Sequence, residues 1–176
     1  MMQAVSSPYR TLRDLVVHAA EAFPEQRFFL CTDEVMPFVT GSGLLSLCRK
    51  ATGLVPLEAG RKHVALLGPS SAAWISAYFA LLSAGQVVVP LHYGMKTEEL
   101  AACLRQADCD LLLYDRVGPQ EVEKLRQALP ALEMRSLHSF LNEAAHAPEA
   151  VFPALDVDAP AAMYFTSGTT GSSRCV

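Results

Sequence analysis

The residues best equipped for chemistry lie in AAMYFTSGTTGSSRCV, residues 161–176. Thr166, Ser167, Thr169, Thr170, Ser172 and Ser173 bring hydroxyls. Gly168 and Gly171 open backbone conformations closed to other residues, so that successive N–H groups can turn into one concavity that favours an anion. Arg174 adds a planar, permanently charged fork that suits phosphate oxygens. Anion binding is the chemistry this composition fits best, although a flexible Gly/Ser-rich linker shares it. The spacing is neither GxxxxGK[ST] nor GxGxxG, which sets aside the ATPase P-loop and the dinucleotide fingerprint.

Such a loop needs a frame. The 176 residues are 51% hydrophobic and 18% charged, a balance that suits one globular domain with a substantial core. A net charge of −4 without a basic stripe gives no reason to expect nucleic acid. No apolar run reaches the roughly 18 residues of a membrane span, and no basic segment followed by an apolar one opens the chain. The reading is a soluble, cytoplasmic protein. Five cysteines (Cys31, Cys48, Cys103, Cys109, Cys175) lack CxxC or metal-like spacing and read as free thiols. No metal-ligating residues are expected.

The middle of the chain carries the clearest elements. HVALLG (63–68), VVVPL (87–91) and DLLLYD (110–115) are apolar runs of strand length, as in a sheet covered on both faces. Between them lie two helices. One is capped by Ser70 or Ser71, carries Trp74, Ile75, Tyr78, Leu81 and Leu82 on the face expected to meet the sheet, and closes at Gly85. The other starts at Thr97 and carries Leu100, Cys103, Leu104 and Ala107. A third helix starts at Gly118-Pro119 and runs through Val122, Leu125 and Leu129. Strand–helix alternation with short connections predicts right-handed crossovers, hence an α/β fold with a mostly parallel sheet and helices on both faces. Upstream, Leu12, Leu15, Val16, Ala19 and Phe23 predict a helix begun at Thr11. FFLCT and MPFVT predict a hairpin around Asp33 and Glu34, and Leu44, Leu47, Cys48 and Ala51 a helix ending near Gly53. From Ala131 to Pro160 the signal is weak, with a short helix over 139–145. AAMYF then reads as a last strand that delivers TSGTTG at its carboxyl end, where ligands of open α/β sheets sit.

YFTSGTTGSSRCV closely resembles the phosphate-binding loop of the adenylate-forming superfamily, whose signature runs roughly (Y/F)TSGTTG-x-P-K-G. That superfamily comprises acyl-CoA synthetases, aryl-CoA ligases, luciferases and peptide-synthetase adenylation domains. RKHVALLGPSSAAWISAYFALLSAGQVVVPLHYGMKTEELAACLRQADCDLLLYD (61–115) is similar to the N-terminal subdomain of the same enzymes. SAGQVVVPLHYGMKTEEL looks most like the fatty-acyl and related acyl-CoA synthetases. The resemblance implies that residues 1–176 are the N-terminal part of an AMP-binding (adenylation) domain, with the rest of the large domain and the C-terminal domain absent. It implies that Thr166, Ser167, Gly168, Thr169, Thr170, Gly171 and Arg174 hold phosphates of ATP. In the parent enzyme, ATP, Mg²⁺ and coenzyme A (or a phosphopantetheine arm) would turn a fatty or other carboxylate into acyl-AMP and then a thioester. The implied partners are a small carboxylate and, as one alternative, an acyl carrier protein. No catalytic residue is expected within these residues, so the chain alone is expected to be inactive and to associate with itself at high concentration. Ser173, Arg174 and Cys175 stand where the family has Pro, Lys and Gly. The competing reading is a non-catalytic nucleotide-binding or interaction module of the same fold.

Overall fold

A strand without polar alternation must be covered on both faces, and HVALLG is buried in just this way. In the computed structural model, which describes residues 9–32, 36–57, 60, 62–167 and 173–175, strand β3 (His63–Leu67) has Val64 to Leu67 buried. Chain order before it is α1 (Leu12–Ala22), β1 (Arg27–Phe28), β2 (Val39–Thr40) and α2 (Gly41–Leu54). After it come α3 (Ala72–Ser83), β4 (Val87–Leu91), α4 (Thr97–Gln106), β5 (Leu111–Tyr114), α5 (Pro119–Ala128), β6 (Glu133–Ser136), α6 (Leu137–His146), β7 (Phe165–Ser167) and β8 (Ser173–Cys175).

The central sheet is parallel in the order β4-β3-β5-β6. Val64, Leu66, Val88, Leu111 and Leu113 face α2, α3 and α6, whereas Ala65, Leu67, Val89, Leu91 and Leu112 face α4 and α5. Helices therefore cover both faces, as the alternation of elements predicts. Each fully buried Val or Leu side chain contributes about 1.5–3 kcal/mol, and the three central strands hold most of them.

Local chemistry sets the helix ends. Ser71 Oγ accepts the Trp74 N–H at 3.1 Å, capping α3. At its other end Gly85 takes φ +83°, Gly85 N–H reaches the Leu82 carbonyl at 3.0 Å and Gln86 N–H the Leu81 carbonyl at 3.1 Å. This is the double closure that a left-handed residue permits. The Gln86 side chain is then buried, accepting from Lys62 N–H at 2.6 Å and donating to the Val55 carbonyl at 2.9 Å. In α1, Asp14 accepts the N–H groups of Thr11 and Arg10 at 2.8 and 2.7 Å, and these bonds hold its carboxyl below the ordinary range.

Four expectations are corrected. The face of α3 turned into the core consists of Ala73, Ala77, Ala80 and Leu81. Trp74, Ile75 and Tyr78 are only half-buried, because small side chains let the helix approach closely and push the bulky ones to the margin. On α1 only Val16 is buried, while Leu12, Leu15 and Phe23 are exposed. EMRS (133–136) is an edge strand that polarity concealed. AAMYF touches the sheet at a single parallel bridge, Ala162 to Val88, before the chain leaves it. The 28–40 hairpin is present but only two pairs long, and its acidic turn at Asp33 and Glu34 lies outside the described residues. Among the described residues, no helix is long and apolar enough to cross a membrane.

Candidate functional site

The chain reaches the glycine loop along the outer flank of β4. Val88 N–H donates to the Ala161 carbonyl at 3.0 Å, and Met163 N–H donates to the Val88 carbonyl at 2.9 Å. Because this pairing is parallel, residues 164–167 emerge at the carboxyl end of the sheet, level with the ends of β3, β4 and β5. β7 then pairs antiparallel with β8: Phe165 opposite Cys175, Thr166 opposite Arg174, Ser167 opposite Ser173.

Side chains alternate along an extended segment, and the alternation divides this one between two helices. Met163 and Phe165, with Cys175 across the hairpin, pack on the cluster that contains Leu100, Cys103 and Leu104 of α4. Tyr164 points the other way, and its hydroxyl lies 2.8 Å from that of Tyr78 on α3. Tyr78 is stacked with Trp74, ring centroids 5.7 Å apart and planes at 14°. Burial, followed by the bond to Tyr164, holds the Tyr78 phenol above its ordinary range. Burial likewise pushes the Cys109 thiol up to about 12.

Of the residues expected to hold phosphate, Thr166 and Ser167 stand on β7 and Arg174 on β8, with Arg174 in register with Thr166. Gly168, Thr169, Thr170 and Gly171 lie outside the described residues. The hairpin thus brings Thr166, Ser167 and Arg174 to one end of the fold. The donor set of backbone N–H groups, hydroxyls and one guanidinium fits a polyphosphate. Among the described residues, no group of three His, Cys, Asp or Glu is placed to hold a metal ion.

Sequence reading missed the ties beneath the loop. Tyr78, expected on the sheet-facing side of α3, instead brings its hydroxyl to that of Tyr164. The available signal was a tyrosine rather than a phenylalanine at a half-buried helix position, since a phenolic O–H in such a place usually finds a partner.

At the carboxyl ends of β3 and β5, where the strand order reverses, a cavity is lined by Leu67, Tyr93, Met95, Arg116, Val117 and Glu121. Asp115 N–H donates to the Leu67 carbonyl at 2.8 Å, and a Cβ on Gly68 would stand 3.0 Å from the Asp115 Cβ. The buried Asp115 carboxylate lies 3.4 Å from His138 Nε2 and 3.8 Å from Arg116 Nε.

Comparison with known proteins decides the lineage. The family model described as AMP-binding enzyme matches residues 19–176, more than half of the chain. The chain belongs to the AMP-binding enzyme family. The nonribosomal peptide synthetase sirP of Leptosphaeria maculans is 31% identical over 121 residues, covering 69% of this chain and 5% of that protein. The fatty acid–[acyl-carrier-protein] ligase ScoC of Streptomyces coeruleorubidus is 34% identical over 134 residues, covering 72% of this chain and 24% of that protein. The chain thus spans less than a quarter of the length of either relative. Among solved structures, the O-succinylbenzoate coenzyme A synthetase MenE of Bacillus subtilis, in complex with AMP, has a TM-score of 0.72 at 24% identity. That match covers 92% of this chain and 40% of MenE, and it establishes the α/β fold of AMP-binding enzymes for this chain. The resemblance read from TSGTTG and residues 61–115 is borne out at the level of the family.

Proposed function

We propose that residues 1–176 form the N-terminal part of an AMP-binding (adenylation) domain in an ATP-dependent acid–thiol ligase. The observation that carries this is the β7–β8 hairpin, which places Thr166, Ser167 and Arg174 together at the carboxyl end of the sheet. In this reading the backbone N–H groups and hydroxyls of Thr166, Ser167, Gly168, Thr169, Thr170 and Gly171 receive phosphate oxygens of ATP, and Arg174 adds positive charge. ATP supplies an α-phosphorus for attack by a carboxylate oxygen, with pyrophosphate leaving. The chain's own task is to orient that nucleotide and stabilise charge developing on its oxygens. Mg²⁺ accompanies the nucleotide, and a coenzyme A or phosphopantetheine thiol accepts the acyl group. The name of ScoC supports a carrier-protein partner, while that of MenE supports coenzyme A. A fatty or other acyl acid is the substrate class, and the cytosol is the expected compartment.

A second reading rests on Ser173, Arg174 and Cys175, which replace the Pro, Lys and Gly of the family signature. Serine loosens the backbone, arginine presents a fork in place of a compact ammonium, and cysteine resists the left-handed region that glycine accepts. A nucleotide-binding module without chemistry would tolerate such changes.

ATP–pyrophosphate exchange by the full-length gene product, measured against fatty, aryl and amino acids, separates the two. Exchange that depends on one acid class is expected. ATP binding without exchange for any acid would favour the module.

A further inference from the structure

The tie between α3 and the strand that leads into the loop has a geometry that general stability does not require. Tyr164 lies between Met163, fixed to Val88 by a backbone bond, and Phe165, the first residue of β7. The residue is 48% exposed, so burial explains little of its position. What locates it is the 2.8 Å contact between its hydroxyl and that of Tyr78. Tyr78 is itself held between two aromatic rings. Trp74 stacks on one face, Phe79 meets it edge-on at 5.9 Å and 90°, and Phe79 in turn stacks on Phe29 at 6.0 Å. Trp74 stands in the first turn of α3, where Ser71 caps the helix. A rigid aromatic shelf thus runs from the helix N-terminus to the root of the loop.

We propose that Tyr78 and Tyr164 are a positioning pair, whose hydroxyl–hydroxyl bond sets the direction in which β7 leaves the sheet and so aligns Thr166 toward the phosphate. This rests on the phosphate reading given above. The pair touches no reacting atom and acts through the backbone of β7. Without the bond, the segment is held by the Val88 pairing on one side and the α4 packing of Met163 and Phe165 on the other. Neither of these contacts ties the segment to α3.

The test uses Tyr78→Phe, Tyr164→Phe and the double variant of the 176-residue chain. Each keeps the ring and removes only the hydroxyl. Amide exchange by NMR is expected to be about three- to ten-fold faster for the β7 residues in each single variant, given the usual net worth of one hydrogen bond. The double variant should be no faster than either single one, because both remove the same bond. Amides of β3 should be unchanged. Unchanged β7 exchange, additive effects in the double variant, or equal acceleration in β3 and β7 would each overturn the proposal. A second arm titrates the chains with pyrophosphate, read from the β7 amide shifts and from fluorescence of Trp74, the single tryptophan. Both single variants should lose several-fold in affinity, and full affinity in both would contradict the positioning role. Absence of binding by the unmodified chain would instead sink the phosphate reading on which the role depends.

Discussion

Val88 and Ala162 stand side by side in parallel, and this bridge is where the loop-bearing segment joins the sheet. The Val88 amide and carbonyl are both engaged, to Ala161 and Met163. Met163→Pro removes the donor to the Val88 carbonyl, leaving a fully buried residue's acceptor unpaired at a cost of about 1–3 kcal/mol. Met163→Leu keeps the donor and the apolar contact with the α4 cluster and should cost much less. Urea unfolding of both variants checks this, and equal midpoints would contradict the role given to the bridge.

Gly41 is expected to tolerate no side chain. A Cβ there would lie 2.5 Å from the carbonyl oxygens of Ala19 and Phe23. Those are backbone atoms of α1 and its end, so relief requires α1 to move off α2. Gly41→Ala should destabilise the fold by about 1–3 kcal/mol, typical of overpacking, despite alanine's better helix propensity. Thermal unfolding decides it, and an unchanged or raised Tm would contradict the close approach.

Much of this frame was legible because its strands are buried on both faces and therefore lack polar interruptions. Residues 63–68, 87–91 and 110–115 announced themselves in that way. β6 did not, since an edge strand reading Glu-Met-Arg-Ser has no apolar pattern to display. The burial of Ala73, Ala77 and Ala80 in place of Trp74 was hidden for a different reason. Hydrophobic periodicity weighs size, whereas a closely packed helix selects for the lack of it. The loop was legible from its composition, but the ties beneath it are long-range pairings that no local pattern encodes.

Stability should fall above about pH 9. Burial pushes the Cys48 thiol from its ordinary 9.0 up to about 12, outweighing the opposing effects of Ser83 and Arg13. The folded chain therefore keeps a proton that the unfolded chain releases between those values. A raised folded pKa gives stability that is present below the unfolded value and lost as pH rises toward the folded one. The slope contributed is at most about 1.4 kcal/mol per pH unit. Urea midpoints at pH 8 and 10 should fall less in Cys48→Ala than in the unmodified chain, and identical slopes would contradict the burial effect.

Self-association should follow from the apolar surface beside the loop. Leu30 is 74% exposed, and its neighbour Phe29 links through Phe79 and Tyr78 to the exposed Tyr164. Contiguous apolar patches of this kind drive association. Sedimentation at about millimolar concentration is expected to find dimers or larger species, reduced in Leu30→Glu. A monomer throughout would contradict the expectation.

The central claim is that TSGTTG holds the phosphates of ATP during acid activation, and carboxylate-dependent ATP–pyrophosphate exchange tests it most directly. Thr169→Ala removes a hydroxyl and Gly171→Val removes backbone freedom, each within the full-length gene product. Loss of one bond to a charged oxygen, about 1.5–3 kcal/mol, corresponds to roughly a ten- to hundred-fold lower rate at limiting ATP. That drop is predicted for both variants, with their unfolding midpoints unchanged; exchange at the unmodified rate in both would contradict the account.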